Sequence, residues 1–450
     1  MSEENKNRQQ LACHYIQDNY VAFQRLRFDC IAQKVQLREE ESSPQHLPDG
    51  QGDCQMRWRY ITNADINSMV CDCCAETGSN ISAKEILTVL NAGSRYIPRV
   101  HPLREYVLSL RPYTPDQPDW IDMVARQVRV RNSAQGVQYP IAKRPIPNSL
   151  QEASIGSNAT ALWHQCFKKW FVAMVASWLK DEVVNHQVLI LIGRQGIFKT
   201  TWLEHLIPPH LRAYCCKLAN ATQLSKDDRL RIAEFGLINM DELDAMTPRE
   251  LNAMKSVITS TDVNERAAYG YTKERRVRLA SFCASSNKRE FLTDMTGNRR
   301  WLPFEVDSIQ NPFHTTLPYD LMYAEALYLI DNDFNYWFDL EEIDTLELHN
   351  EVFRAQDSEE QLLPILFDIP AEGKGEFMTT AQISERLVSY GNIKKPMPVS
   401  QLGMLLGKAG YRAVTRGSRN ARVRGWIVYQ RNTDEINANK ALLAKDGVTM

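Results

Sequence analysis

A short segment near the middle of the chain combines glycines, a lysine and hydroxyl side chains at a spacing that suits phosphate chemistry. An apolar run over 188–192 is followed by residues 193–201, which read GRQGIFKTT. A strand, a glycine turn and Lys-Thr opening a helix are typical of loops whose backbone N–H groups surround phosphates. The predicted nucleotide contacts are Gly193, Gln195, Gly196, Lys199, Thr200 and Thr201.

Two side chains of this segment have separate predicted roles. Lys199 supplies positive charge for the β- and γ-phosphates, and Thr200 offers a hydroxyl to Mg²⁺. The segment departs from the usual pattern G-x-x-x-x-G-K-[ST] at one position, because Phe198 stands where the second glycine belongs. The departure bears on the rate of hydrolysis more than on nucleotide binding.

The carboxylates that such chemistry needs follow a second apolar run, residues 235–240. We predict that Asp241 holds Mg²⁺ and that Glu242 polarises the attacking water. The alternative is a buried strand with a polar end, which is common where no phosphate loop accompanies it.

A third run, residues 277–287, ends in Asn287, whose amide could lie between the metal and the water. Beyond it, Arg299 or Arg300 could stabilise charge on the γ-phosphate, within the same chain or across a subunit boundary. The alternative for this arginine pair is simple solvation. Because the four elements occur in the order that nucleotide hydrolysis requires, we predict an NTPase.

These segments together resemble the virulence-associated protein E family of P-loop ATPases, relatives of superfamily 3 helicases carried by phages, genomic islands and mobile elements. The resemblance rests on residues 193–200, 240–242 (MDE), 285–287 (SSN) and 297–301 (GNRRW). It is strongest over about 160–306 and extends more weakly to residues 101–106.

The resemblance implies an AAA+-like core, ATP with Mg²⁺, a homo-oligomeric ring, and DNA as the partner in replication of a mobile element or phage. Many relatives carry a primase domain ahead of the ATPase. The sequence has no primase signature, such as closely spaced metal-binding carboxylates on a strand. The candidate partners therefore include a separate primase.

Residues 266–276 interleave basic side chains with tyrosines, which suits single-stranded DNA through charge and stacking. In superfamily 3 helicases a hairpin in this region lines the ring pore. By that resemblance the candidate DNA contacts are Lys273, Arg275 and Arg276. The alternative makes one of these arginines an intersubunit contact to ATP.

A second basic segment lies near the C-terminus. Residues 386–431 hold ten Lys and Arg and no acidic residue, whereas residues 331–360 hold eleven acidic residues and one arginine. Two predicted helices and two short strands surround a basic turn, which is the outline of a winged helix that could bind duplex DNA. The candidate contacts are Arg416, Arg419, Arg422 and Arg424. The alternative is a small α+β cap whose arginines only keep it solvated.

Composition sets the class of protein. With 44% hydrophobic and 24% charged residues among 450, the chain reads as a globular protein. No apolar run approaches the roughly 18 residues that cross a membrane, and the polar start shows no secretory signal, so we expect a cytoplasmic protein with reduced thiols. The cysteines at 71, 73 and 74, with Cys54, fit helix packing better than a metal cluster.

The predicted organisation is an α/β chain of several parts. An aromatic-rich helix over 163–179 should pack on the core, with a base-stacking platform as the alternative. The predicted parts are a helical region (1–130), a connection (131–160), a P-loop ATPase core (161–340), an acidic linker (341–376), a winged-helix-like domain (377–432) and a tail (433–450).

The sequence favours an ATP-driven helicase or translocase that acts in replication of a mobile element or phage. The alternative is an ATP-switched DNA-binding regulator or origin-binding factor, and Phe198 is the feature that favours it. A third class is a scaffold whose ATP site has decayed. The presence of Lys199, Asp241 and Glu242 argues against it.

Overall fold

The structure, a computed structural model, has a mixed α/β fold. It describes residues 3–38, 58–92, 95–131, 159–218, 226–265, 274–292, 298–355, 357–371, 375–417 and 422–445. The chain divides into two compact units, one over 1–133, 155–289 and 296–351, and the other over 134–154, 290–295 and 352–450. Several sequence candidates fall outside the described residues: Cys54, Lys273, Gly297 and Arg419.

The helices have the following bounds: α1 (Glu3–Ile16), α2 (Asn63–Thr77), α3 (Ala83–Leu90), α4 (Pro102–Ser109), α5 (Trp120–Ala125), α6 (Ala159–Leu179), α7 (Lys199–His205), α8 (Lys226–Glu234), α9 (Pro248–Thr259), α10 (Tyr319–Asp331), α11 (Leu340–Glu351), α12 (Ser358–Leu366), α13 (Thr380–Gly391), α14 (Val399–Lys408) and α15 (Thr433–Lys445).

The strands have the following bounds: β1 (Leu26–Asp29), β2 (Lys34–Arg38), β3 (Trp58–Tyr60), β4 (Arg99–Val100), β5 (Val128–Val130), β6 (Val188–Ile192), β7 (Cys215–Leu218), β8 (Leu237–Met240), β9 (Asp262–Glu265), β10 (Glu274–Val277), β11 (Ser281–Ser286), β12 (Trp301–Ile309), β13 (Phe367–Asp368), β14 (Glu376–Met378), β15 (Arg412–Arg416) and β16 (Val423–Gln430).

The N-terminal region is not wholly helical, which corrects the prediction for 1–130. Strands β3, β2, β1 and β4 form a sheet in that order, with helices α1 to α3 packed through a shared apolar core. Asp29, at the end of β1, is fully buried, and its carboxylate accepts hydrogen bonds from Tyr60 (2.9 Å) and Tyr214 (2.5 Å). Strands of two to five residues are too short for their alternation to stand out in the sequence.

The central sheet has the strand order β5-β12-β6-β11-β8-β7. All neighbouring pairs from β12 to β7 are parallel, and β5 is antiparallel to β12. The three predicted core strands correspond to β6, β8 and β11, although β11 begins only at Ser281. Because parallel strands end at the same edge, the segments after β6, β8 and β11 meet there.

Helix α6 confirms the predicted buried helix. The rings of Trp163, Phe167, Trp170, Phe171 and Trp178 are all fully buried. The three indole N–H groups donate to backbone oxygens of Ala125, Phe282 and Gly236 at 2.9 to 3.2 Å. These aromatics therefore form the core, and the base-stacking alternative is wrong.

The second unit contains the predicted helices and strands of the basic region as α13, α14, β15 and β16. Strands β13, β14 and β15 each pair antiparallel with β16, and β15 and β16 form a hairpin. Predictions of a linker over 341–376 and a tail after 432 are wrong in part, because these segments include α11, α12 and α15. Acidic residues in the first turns of α11 and α12 suit helix N-termini, although their composition had indicated a linker.

Candidate nucleotide site at the carboxyl edge of the central sheet

The turn between β6 and α7 has two glycines whose positions explain the residue type. The amide of Gly193 donates to Ser286 on β11 at 3.1 Å, and a Cβ at Gly193 would lie 2.7 Å from the Val306 carbonyl oxygen on β12. Gly196 has φ +85°, with open space within 4 Å of where a Cβ would lie. The turn is therefore fixed at its base and open at its tip, as a phosphate-binding loop requires. We call this turn, residues 193–198, the cradle.

Lys199 is 6% exposed, and its ammonium group points into this turn. The Nζ atom donates to Gly193 O at 2.7 Å, to Arg194 O at 2.9 Å and to Asn287 Oδ1 at 3.1 Å. Burial lowers the pKa of Lys199, while the carboxylates of Asp241 and Asp244 act in the opposite direction. Two residues that the sequence predicts for the site, Lys199 and Asn287, are therefore hydrogen-bonded to each other.

Asp241 collects donors from three elements. Its Oδ1 accepts from Thr200 Oγ1 at 2.8 Å and from Ser285 Oγ at 2.6 Å, and its Oδ2 contacts Lys217 Nζ at 2.6 Å. Burial alone would raise the pKa of Asp241, but hydrogen bonds from Lys217, Ser285 and Thr200 outweigh it and lower the pKa to about 2. Asp241 is therefore a carboxylate at neutral pH.

Thr200 and Asp241 form a donor set that fits Mg²⁺. This cation is usually held by one or two carboxylates, with substrate phosphates and water as the remaining ligands. Within the described part of the chain, no group of three His, Cys, Asp or Glu side chains could hold a metal by itself. A partial oxygen site beside a phosphate cradle suits a cation that arrives with a nucleotide.

Glu242 and Asp244 lie directly after β8, beside this cluster. Glu242 is exposed, and its backbone is left-handed with φ +55°. Asp244 Oδ1 accepts a hydrogen bond from the backbone N–H of Asn287 at 3.2 Å and lies 3.4 Å from Ser286 Oγ. The structure therefore gives two carboxylates near the edge, one free to meet a ligand and one tied to β11.

Phe198 adopts the conformation that the usual glycine would have. Its φ is +67° and its ψ is +18°, and it is the residue immediately before α7. Bulky residues rarely adopt left-handed backbone geometry, which costs roughly 1 kcal/mol. The turn therefore has the backbone of a glycine-containing loop despite the substitution.

Arg299 and Arg300 lie at the other edge of the sheet. They precede β12, whose first residue Trp301 pairs with Val188 at the start of β6. The cradle follows Ile192, which is four residues after Val188, and a β-strand rises about 3.3 Å per residue. The structure does not bring either arginine to the cradle of the same chain.

Two other predicted contacts, Gln195 and Thr201, differ in exposure. Gln195 is exposed in the turn, and Thr201 lies in α7, where its carbonyl oxygen contacts His205 Nδ1 at 2.7 Å. Sequence reasoning missed Lys217 and Ser285 as contacts of Asp241. Ser285 lies in the singled-out SSN segment, whereas Lys217 on β7 has no motif signal.

The candidate DNA-binding residues that the structure describes lie on two hairpins. Arg275 and Arg276 are on β10, which pairs with β9; Arg275 contacts Asp262, and Arg276 contacts Glu234 at 2.9 Å. In the second unit, Arg416 lies over the Phe377 ring at 4.9 Å. Arg422 and Arg424 are exposed on or beside β16.

The fold and this edge define a mixed α/β protein with a polar cluster at the carboxyl ends of parallel strands. Residues 137–355 match the model of the virulence-associated protein E-like domain. The chain therefore carries a domain of this family, and the predicted resemblance is confirmed.

Similar solved structures include two apo structures of the C-terminal region of NrS-1. One has 11% identity, covers 91% of this chain and 97% of that chain, and gives a TM-score of 0.40. An A form has 12% identity, covers 90% and 96% of the two chains, and gives a TM-score of 0.37. No curated protein matches the sequence. In the described parts, no helix has the length and apolar character needed to cross a membrane.

Proposed function

We propose that this protein is an ATP-hydrolysing enzyme with a P-loop, AAA+-like core that acts on DNA during replication of a mobile element or phage. One observation supports this above all. Lys199, Thr200, Asp241 and Asn287, from three separate segments, converge on a glycine turn at the carboxyl edge of a parallel sheet. The virulence-associated protein E-like domain covers all of them.

In this proposal each side chain has one task. Lys199 would exchange its carbonyl contacts for the β- and γ-phosphate oxygens, and Thr200 and Asp241 would bind Mg²⁺. Glu242 would polarise the attacking water, and Asn287 would position both the Lys199 ammonium group and that water. Mg²⁺, when bound, neutralises charge that develops on the phosphates.

The position of the arginines supports the proposal of a ring of identical chains. Arg299 and Arg300 lie at the edge opposite the cradle, so neither would act on the nucleotide of its own chain. A neighbouring chain could present one of them to the γ-phosphate, as arginine fingers supplied in trans do. The site would then be complete only between two subunits.

DNA contact in this proposal rests on the two basic hairpins. The β9–β10 hairpin carries Arg275 and Arg276, and the second unit has the helix and strand order of a winged helix, with exposed arginines on its hairpin. Positive side chains would neutralise phosphates, and hydrolysis would move the first hairpin along a single strand.

The second candidate is a DNA-binding regulator that uses ATP only as a switch, and Phe198 in the turn favours it. Steady-state ATP turnover with Mg²⁺, measured with and without single-stranded DNA, separates the two. The translocase proposal expects turnover that single-stranded DNA accelerates. Tight ATP binding without turnover in either condition would favour the switch.

A further inference from the structure

An aromatic side chain lies exposed beside the cradle. Phe313 belongs to the segment between β12 and α10, and 70% of it is open to solvent. Its ring centre is 6.4 Å from that of Phe198 and 5.6 Å from that of His205, both in edge-to-face geometry. Phe313 therefore contacts one ring from the cradle and one from α7, and most of its surface stays exposed.

The surrounding backbone holds this ring in place. The amide of Phe313 donates to Asn311 Oδ1 at 3.0 Å, and the amide of His314 donates to Asn311 O at 3.1 Å. At the far end of the segment, the Tyr319 hydroxyl donates to His205 O at 2.8 Å, on α7. Because this large ring is exposed beside the cradle, it is available to contact a ligand bound there.

The position of the Phe313 ring relative to the expected phosphate site limits the class of ligand that the ring could contact. Strand β12 runs parallel to β6, so the segment after β12 emerges at the edge where the cradle lies. Phe198 immediately precedes α7, and Thr201 and His205, four residues apart, share one face of that helix. Phe313 contacts Phe198 and His205, next to the residues that would bind the phosphates.

We propose that Phe313 is the stacking surface for the base of the nucleotide, with Phe198 and His205 as its supports, and this rests on the proposed function. The ligand class is a purine nucleoside triphosphate. Stacking reads the π-face of a base and not its hydrogen-bonding edge, so adenine and guanine should both be accepted. Phe198 would then serve as a support for base binding in a position usually held by glycine.

The test compares ATP with inorganic tripolyphosphate, which has phosphates but no base. Dissociation constants would be measured by titration calorimetry with Mg²⁺ on the full chain and on Phe313→Ala, Phe313→Tyr, Phe23→Ala and Lys199→Ala. Phe23 is 67% exposed and is the matched control, because it is an equally open phenylalanine in the N-terminal region. Thermal melting would check that each variant is folded.

Phe313→Ala should raise the dissociation constants of ATP and GTP by roughly tenfold or more. Tripolyphosphate binding should stay within twofold, and Phe313→Tyr and Phe23→Ala should resemble the parent chain. Equal losses for ATP and tripolyphosphate would overturn the stacking role, because Phe313 would then support only the cradle. Unchanged ATP binding would also overturn it, with the ring left to solvent or a partner protein.

Failure of the proposed function would look different. Lys199→Ala should weaken both ATP and tripolyphosphate, whatever the result at Phe313. If Lys199→Ala left both unchanged, the cradle would not be the phosphate site, and both proposals would fall. If Lys199 mattered and Phe313 did not, only the stacking role would fail.

Discussion

Glu242 is the residue on which hydrolysis, as distinct from binding, depends in this account. Its left-handed backbone turns the chain away from β8 directly after Asp241, which leaves the Glu242 carboxylate exposed beside the metal position. Glu242→Gln should keep ATP binding and lower turnover by about 10²–10⁴-fold, because the amide cannot take a proton from water. Single-turnover hydrolysis and equilibrium binding of ATP measure the two effects separately.

Asp244 supplies the control for that experiment. Its carboxylate is tied to Asn287 and Ser286, so Asp244→Asn should affect turnover less than the change at Glu242. A fall of less than threefold in Glu242→Gln would reassign the catalytic carboxylate, with Asp244 as the next candidate.

Phe198 tests whether the turn tolerates its departure from the glycine pattern. Glycine adopts φ near +67° without strain, so Phe198→Gly should retain ATP hydrolysis at or above the parent rate when ATP is saturating, although loss of the ring that supports Phe313 should weaken ATP binding. A β-branched residue is a poor fit to that geometry, so Phe198→Val should lower turnover and the melting temperature. If Phe198→Gly abolished phosphate binding, the phenyl ring would be part of the support of the turn.

Spacing along the chain could predict part of the site. Gly193, Lys199 and Asp241 follow strands in a fixed order, and the backbone of such a turn dictates residue type. Lys217 could not be predicted, because it reaches Asp241 from a neighbouring strand that carries no motif. The position of Arg299 and Arg300 also needed the structure, since only strand direction shows which edge they occupy.

At the scale of elements, Arg278 joins the β9–β10 hairpin to the core. It is 1% exposed, and burial lowers its pKa to about 9. Its guanidinium donates to Ala280 O at 3.0 Å, to Asn185 O at 2.8 Å and to Ile258 O at the end of α9. Carbonyls from three segments are therefore satisfied by one side chain.

Arg278→Met should destabilise the chain by at least about 2 kcal/mol, because several buried carbonyl groups would lose their donor. The matched control is Arg275→Ala, three residues away, whose side chain is 77% exposed and should matter little for stability. Urea unfolding of both variants measures the difference. Equal stabilities would show that the buried guanidinium does not hold the hairpin.

The elements themselves were predictable to different degrees. Long apolar runs and helical spacing indicated β6 and β8, whose residues are all buried, and α6, whose aromatic side chains are fully buried. The short strands β1 to β4 were missed, because sheet pairing and not local pattern stabilises them. Helices α11 and α12 were missed, because their acidic composition resembles that of a linker.

At the scale of the whole molecule, positive charge is concentrated over residues 386–431, which hold ten Lys and Arg and no acidic residue. Alanine at Arg416, Arg419, Arg422 and Arg424 together should flatten the log–log salt dependence of duplex binding by about 2–4 units, since each phosphate contact contributes about 0.9. DNA-independent ATP turnover should stay unchanged and serves as the folding control. An unchanged slope would leave DNA contact to the β9–β10 hairpin.

A fragment can test the same unit apart from the ATPase, and the structure sets its limits. Helix α12 begins at Ser358 after its cap residue Asp357, and Asn439 in α15 donates to Pro364 O at 2.9 Å. A fragment over 357–445 therefore keeps both helices, whereas one over 360–432 would cut α12 and omit α15. Salt-sensitive binding by the longer fragment is the expected result.

ATP turnover by the full chain with Mg²⁺, compared with Lys199→Ala, tests the central claim most directly. The account predicts turnover in the parent chain, and its loss in the variant together with strongly weakened ATP binding, because the phosphates lose their fixed counter-charge. Turnover in Lys199→Ala equal to that of the parent chain would contradict the account.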